Sequence, residues 1–453
     1  MLKPTIFREY DIRGIAEEDL RDPDVEVLGK AIGTYLARNG ARSVNLGRDC
    51  RLSSERLRNA LAKGLVAAGC RVTDVGVVPT PLLYYSVFHS KAEGAVMITG
   101  SHNPSEYNGF KVMRGEATIH GAEIQQLWKI VQAGEFASGT GSVTTSDVVP
   151  SYVDDISSRI HLPRRVKAVF DAGNGTAGPV MHKLLGRLNC EATELFFEMD
   201  GRFPNHHPDP TVEKYLTQLV AAVREQNAEL GIAFDGDADR IGAVDENGNV
   251  VWGDQLMLIY AREILTRKPG ATFIGEVKCS QVMYDELRRL GGNPIMYKTG
   301  HSLIKAKMKE THAELAGEMS GHIFFADRYY GFDDALYAAC RLLEIVAASG
   351  KPLSAQLDGL PKMVVTPEIR VDCPDETKFE VVKRVVDHFK SIRQVVDVDG
   401  ARVLFEHGWG LVRASNTQPV LVMRFEATTP ELVQQYRREV EAALAEAKAA
   451  CGV

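Results

Sequence analysis

Long apolar runs are missing from this chain. No stretch of about 18 residues runs without charge, so a membrane-spanning helix is not expected. The opening Met1-Leu2-Lys3-Pro4-Thr5-Ile6-Phe7-Arg8 meets charge almost at once and lacks the apolar centre of a secretory leader. The cytoplasm is therefore the expected compartment, with no membrane partner. Cysteine is scarce and scattered: the seven at positions 50, 70, 190, 279, 340, 373 and 451 never form a C-x-x-C pair. That removes zinc-ribbon and dithiol redox chemistry and leaves reduced thiols. There is no basic tract to offset a formal net charge of −7, which argues against nucleic acid as a partner. Any bound anion must be held by local clusters of Lys, Arg and His. The 40 glycines and 19 prolines are spread rather than pooled, so neither a fibrous nor a disordered chain is indicated.

At 453 residues the chain exceeds what one hydrophobic core supports, and two to four domains are expected. Helical and strand patterns alternate from the start. Asp24 is placed to cap an apolar-periodic helix (Val25, Leu28, Ile32, Leu36) that stops at Gly40, followed by a buried strand at Ser43–Gly47. Ser53 can cap the next helix, and strands follow near Arg71–Val75 and Gly94–Ile98. The polar stretch Ser138–Ser146 looks like a linker ahead of a second unit with strands at Val166–Phe170 and Leu230–Phe234 and a hairpin at Asn247-Gly248. A third unit repeats the pattern at Ala271–Ile274 and Glu314–Ala316. The final stretch differs in type, with one strand over Val364–Val371, a helix near Glu376–Phe389, strands near Val395–Asp399, Arg402–Glu406 and Leu421–Ala427, a turn at His407-Gly408-Trp409-Gly410, and a last helix from Pro430. The expected architecture is three tandem mixed α/β domains (1–147, 148–249 and 250–361) and a smaller α+β C-terminal domain (362–453) around a central cleft. In such sheets ligands gather where strands end in polar, glycine-bearing loops.

Four such loops carry chemistry. In Ile98-Thr-Gly-Ser101-His102-Asn103-Pro104, Gly100 lets the backbone bend and Asn103-Pro104 sets a turn, so Ser101 is the candidate nucleophile and Lys111 returns on the next strand as a phosphate or proton partner. Asn103 stands where a hydrolase elbow needs glycine, so G-x-S-x-G fails. Asp235-Gly-Asp237-Ala-Asp239-Arg240 sets three carboxylates at alternate positions after a strand, which suits oxygen ligation of Mg²⁺ and asks for a cation to relieve their repulsion. An EF-hand half-loop is the weaker reading, since Arg240 replaces its glycine; a haloacid-dehalogenase-type aspartyl phosphatase stays open from this loop alone. Glu318-Met319-Ser320-Gly321-His322 offers a carboxylate, a hydroxyl and an imidazole for sugar hydroxyls. Arg413-Ala-Ser415-Asn416-Thr417 has the composition of a phosphate clamp.

Taken together and in this order, the four loops resemble those of the α-D-phosphohexomutase superfamily: phosphoserine, metal, sugar and phosphate loops in turn. Within it, Glu318-Met-Ser320 and Arg413–Thr417 are most similar to the bacterial phosphomannomutase/phosphoglucomutase group; phosphoglucosamine mutases, the main alternative, typically carry Gln at the place of Met319 and Gly at that of Asn416. The resemblance implies reversible conversion of hexose 1-phosphate and 6-phosphate, mannose or glucose, through phosphorylated Ser101 and a 1,6-bisphosphate that also serves as activator. It implies Mg²⁺ on Asp235, Asp237, Asp239 and the Ser101 phosphate, and His102, Lys111, Arg13 and His322 about the reacting centre. It further implies substrate contacts from Tyr10, Arg240, Lys278, Gly300, His301, Glu318, Ser320, Arg413, Ser415, Asn416 and Thr417. A monomer is expected, with a dimer as the alternative.

Overall fold

The structure is a computed structural model that describes residues 2–453. Four sheets follow one another along the chain. In the first, Gly94–Ile98, Ser43–Arg48, Arg71–Val77 and Ser142–Thr145 run parallel, and Tyr107–Arg114 and Ile12–Ile15 add antiparallel strands on the other side. All five residues of Gly94–Ile98 are buried, as a central parallel strand covered on both faces requires. The second sheet is built on Val166–Asp171 and Leu230–Phe234, running parallel, with the hairpin Ile241–Asp245 and Val250–Val251 beside them. The third places Thr272–Glu276 parallel to both Asn293–Tyr297 and Leu315–Gly317. The fourth is antiparallel, and the helices Lys378–Lys390 and Pro430–Ala450 share its apolar core.

Several local expectations need correcting. The first long helix is Asp22–Arg38 with Arg21 at its N-cap, so Asp24 lies in the first turn and accepts from Arg21 instead of capping; Pro23 presets the helical φ one residue earlier. Ser53 stands at the N-cap of Ser54–Ala67 but makes no capping bond, its hydroxyl accepting from Asn108. The stretch Ser138–Ser146 is not a free linker. Its residues Ser142–Thr145 form an edge strand whose side chains are all exposed, held by main-chain pairing to Arg71–Val77 that composition does not reveal. Val364–Val371 is two strands, Val364–Val365 and Ile369–Asp372, because Pro367 between them lacks a donor for the ladder. Finally, the turn before Trp409 comprises only Glu406-His407. Gly408–Ala414 is a strand, and Trp409 is buried under the Arg402 guanidinium.

One apolar cluster runs continuously through the first three units, from Val75 to Leu353, which sets their loops in a fixed relation. The fourth unit has its own core and meets the third through a small patch of Val277, Trp409 and Leu411. Fully buried Arg402 crosses that boundary, donating to the carbonyls of Val277 and Cys279. Among the described residues no helix is long and apolar enough to cross a membrane.

Candidate active site

Ser101 sits one turn beyond the end of Gly94–Ile98, 3% exposed, with its backbone in the left-handed region (φ 49°). A non-glycine residue holds that conformation only where its surroundings enforce it. Here the enforcing group is Arg51. Its guanidinium donates to the carbonyls of Ser101 (2.8 Å), Asn103 (2.5 Å), Pro104 (2.5 Å) and Tyr107 (3.0 Å), gathering the whole loop around one buried cation. Gly100 is required for this approach, since a Cβ there would lie 2.4 Å from the Arg51 Cζ. Asp49 completes the arrangement: it lies 3.2 Å from Arg51 Nε and accepts from the Gly100 amide. The result aims the Ser101 hydroxyl at Asp235, to which it donates at 2.8 Å, with His102 Nδ1 at 3.1 Å.

Asp235, Asp237 and Asp239 are fully buried, and one oxygen of each lies within 4.8 Å of the others. Lys111 reaches in from Tyr107–Arg114 and donates to Asp237 (3.0 Å) and Asp239 (2.5 Å). Thr80 and Thr99 also donate to Asp237, and the amides of Asp239 and Arg240 to Asp235. Burial, and then the charges of Asp239 and Asp237, push Asp235 well above the usual carboxylate range. Burial acts upward on Asp237 too, but the Lys111 charge and the bonds from Thr80, Lys111 and Thr99 hold it below that range. Three buried acids share one contacting ammonium, and Oδ1 of both Asp237 and Asp239 is buried without a hydrogen-bond partner. Orphaned hard oxygens on a three-carboxylate set are what a divalent cation of the Mg²⁺ type would satisfy, so the residues fit that group.

The remaining loops meet around this centre. Arg240 donates from Nε to His322 Nε2 at 3.1 Å, and the Ile241 amide donates to the Gly321 carbonyl, joining the Asp235–Arg240 and Glu318–His322 loops. His301 stacks on His322 with ring centroids 5.5 Å apart. Glu318 accepts from the Gly300 amide at 2.8 Å and is raised by burial. Tyr10, from the first unit, donates to the Thr299 carbonyl and accepts from Asn416, so it touches the third and fourth units at once. Arg13 donates to Asn103 and Asp11. Arg413 is held by Asp399, and the Ser415 hydroxyl accepts from the amides of Thr417 and Gln418, shaping the loop. Lys278 is paired at 2.6 Å with Glu368 of the fourth unit. Ser320 carries no side-chain hydrogen bond among the described residues, and Thr417 is exposed.

The structure thus brings Ser101, His102, Lys111, the three aspartates, Arg240 and His322 into one contiguous set, with Tyr10, Gly300, His301, Glu318, Arg413 and Asn416 forming a second that adjoins it. Residues that sequence reasoning missed are Arg51, Asp49, Thr80, Asp333, Lys305, Asp399 and Glu368. Only the Asp333-Asp334 doublet carried a visible signal, as paired acids beside an apolar segment.

The chain matches, in order, the four domains of one family: phosphoglucomutase/phosphomannomutase alpha/beta/alpha domain I over residues 4–138, domain II over 150–248, domain III over 252–364, and the C-terminal domain over 368–443. It is 44% identical over 437 residues to the phosphomannomutase/phosphoglucomutase of Pseudomonas aeruginosa (strain PAO1), covering 96% of this chain and 94% of that one. The phosphoglucomutase of Neisseria gonorrhoeae is 44% identical over 444 residues, 97% and 96% of the two chains. Among solved structures, a phosphoglucomutase/phosphomannomutase family protein from Burkholderia thailandensis superimposes with a TM-score of 0.93 at 44% identity, covering 99% of this chain and 98% of that chain. The chain belongs to the phosphoglucomutase/phosphomannomutase family of the α-D-phosphohexomutase superfamily and is an enzyme of hexose-phosphate interconversion.

Proposed function

We propose that this enzyme interconverts the 1- and 6-phosphates of mannose and glucose through a phosphoryl group carried on Ser101. The observation that carries this reading is the Ser101 hydroxyl, held by a strained, clamped loop 2.8 Å from Asp235 in a carboxylate cluster with two orphaned oxygens. Mg²⁺ held by Asp235, Asp237 and Asp239 would supply positive charge to offset that on the transferring group. Lys111 and Arg13 supply fixed positive charge beside it, and His102 and His322 are the groups placed to accept or return a hydroxyl proton.

A hexose 1-phosphate held by Arg413, Ser415, Asn416 and Thr417 presents its 6-hydroxyl to the phosphoserine. The O6–P bond forms as the P–Oγ bond breaks, leaving Ser101 free and a 1,6-bisphosphate bound. That intermediate turns end for end and returns its other phosphoryl group to Ser101, which accounts for its role as activator. A phosphate clamp remote from Ser101 serves both orientations, with Glu318 and Ser320 gripping sugar hydroxyls and Tyr10, Arg240, Lys278, Gly300 and His301 completing the cleft. Domain limits at 1–147, 148–249, 250–361 and 362–453, a cytoplasmic location and a monomeric or dimeric state complete the reading.

The test compares wild type and Ser101→Ala for conversion of mannose 1-phosphate and glucose 1-phosphate to the 6-phosphates, with Mg²⁺ and catalytic 1,6-bisphosphate. Turnover of both sugars that collapses in the variant is expected. Release of inorganic phosphate, or full activity in the variant, would overturn the proposal.

A further inference from the structure

Beneath the sugar loop lies a buried network that the proposed chemistry leaves unused. Asp333, fully buried, follows a short loop after Ile323–Phe325. Its Oδ1 accepts from Lys305 Nζ at 2.9 Å, and the Lys305 ammonium lies 4.3 Å above the ring of buried Tyr84. Its Oδ2 lies 3.1 Å from His322 Nδ1 and 3.8 Å from His301 Nδ1. His322 Nδ1 is also 3.7 Å from Asp239 Oδ1. His322 Nδ1, Asp333 Oδ2 and Asp239 Oδ1 are all buried with no hydrogen-bond partner elsewhere, while His322 Nε2 receives the N–H of Arg240.

Only one proton placement satisfies this geometry. Arg240 can only donate, so Nε2 must present its lone pair; the hydrogen of a neutral ring is then on Nδ1, facing the two carboxylate oxygens. We propose that Asp333 is a positioning residue that holds His322 in this tautomer, so that Nε2 keeps a lone pair, taken here by Arg240 and open to a substrate hydroxyl once Arg240 exchanges that bond for the substrate. Lys305 orients Asp333 in turn by occupying its other oxygen. A second divalent cation among the three orphaned atoms is the competing reading. Lys111 and Lys305 already stand against these carboxylates, and one proton on Nδ1 satisfies that nitrogen and Asp333 Oδ2 at 3.1 Å without adding a further double charge, leaving Asp239 Oδ1 to the cation of the aspartate cluster.

The inference rests on His322 facing substrate in the proposed mutase. Asp333→Asn is the informative change. Lys305 keeps the new carbonyl oxygen on its own side, so the amide NH₂ takes the place of Oδ2 and donates toward Nδ1. That favours the opposite tautomer, whose Nε2–H would confront Arg240. A drop of roughly 10- to 100-fold in kcat with little change in KM is expected, as for other groups that orient a ligating or reacting histidine. The direct readout is long-range ¹H–¹⁵N correlation on ¹⁵N-histidine-labelled, Mg²⁺-loaded protein, with His322 assigned through His322→Gln. Wild type is expected to show a protonated Nδ1 and an unprotonated Nε2, reversed or averaged in Asp333→Asn. A wild-type Nε2–H tautomer overturns the inference, as does an unchanged kcat in folded Asp333→Asn, or a second bound Mg²⁺ per chain that Asp333→Asn removes. Loss of the mutase reading would show separately, as a wild type that does not interconvert the sugar phosphates. The tautomer measurement needs no variant at Asp333, so a failure of Asp333→Asn to fold leaves the test standing.

Discussion

Removing the Arg51 guanidinium should cost turnover rather than substrate affinity, and the structure sets the size of the effect. Arg51 ties together four carbonyls of the Ser101 loop and lies against Gly100, while Ser101 sits at φ 49°. Holding a non-glycine residue in that region costs about 1–3 kcal/mol. In Arg51→Ala nothing offsets that cost, and the loop relaxes toward ordinary backbone geometry, taking the hydroxyl away from Asp235. At about 1.4 kcal/mol per tenfold, the productive fraction and with it kcat should fall roughly 5- to 150-fold. KM should change little, because the proposed substrate contacts Glu318, Arg413 and Asn416 lie in other domains. Arg51→Lys should fall between the two, since an ammonium has donors enough for some carbonyls but no rigid fork to hold their spacing. The assay is steady-state kinetics on glucose 1-phosphate, with near-ultraviolet circular dichroism to verify folding. A folded Arg51→Ala whose kcat stays within about twofold of wild type would refute the clamp.

Two further outcomes follow from the charge arrangement. Lys111→Met leaves Asp237 and Asp239 buried without their cation, a kind of loss that typically costs about 3–5 kcal/mol; the variant should melt well below wild type in chelator and gain more from added Mg²⁺, and equal gains in thermal denaturation would contradict the assignment of the cluster as a cation site. The Lys278 charge beside Glu368, opposed by burial and aided by their hydrogen bond, depresses the Glu368 carboxyl to about 2. A depressed carboxylate contributes stability above its unfolded value near 4.5 and loses it as pH falls through about 2. Glu368→Gln should therefore flatten the fall in melting temperature of the fourth domain on going from neutral toward acid pH; an unchanged acid slope would show that the pair does not tie that domain to the third.

The layout of the chain and the chemistry of its loops were legible because both are local. Buried parallel strands such as Gly94–Ile98 and Leu230–Phe234 announce themselves as short apolar runs, and the loops after them carry residues whose types imply their chemistry: a serine in a glycine-proline turn, carboxylates at alternate positions, an arginine among hydroxyls. Where that local grammar misled, the deciding bond was made elsewhere. Ser142–Thr145 reads as polar linker because its edge pairing uses only main chain, and Trp409 reads as part of a turn until Arg402 and Val277 are seen to cover it.

Burial and partnership were decided by tertiary structure alone. Arg51 is about fifty residues from the loop it clamps, Lys305 and Asp333 come from a helix and a loop of the third domain, and Lys278 meets Glu368 across a domain boundary. In sequence each is an unremarkable charge, indistinguishable from a solvated surface residue. What makes it specific is removal from water, which forces every charge and polar atom to find a partner and so fixes Ser101, His322 and the acid cluster in place. The sequence by itself determined which reactive groups the loops carry. Only the folded core, running continuously through the first three domains, determined which of them face one another and which stand behind to hold them there.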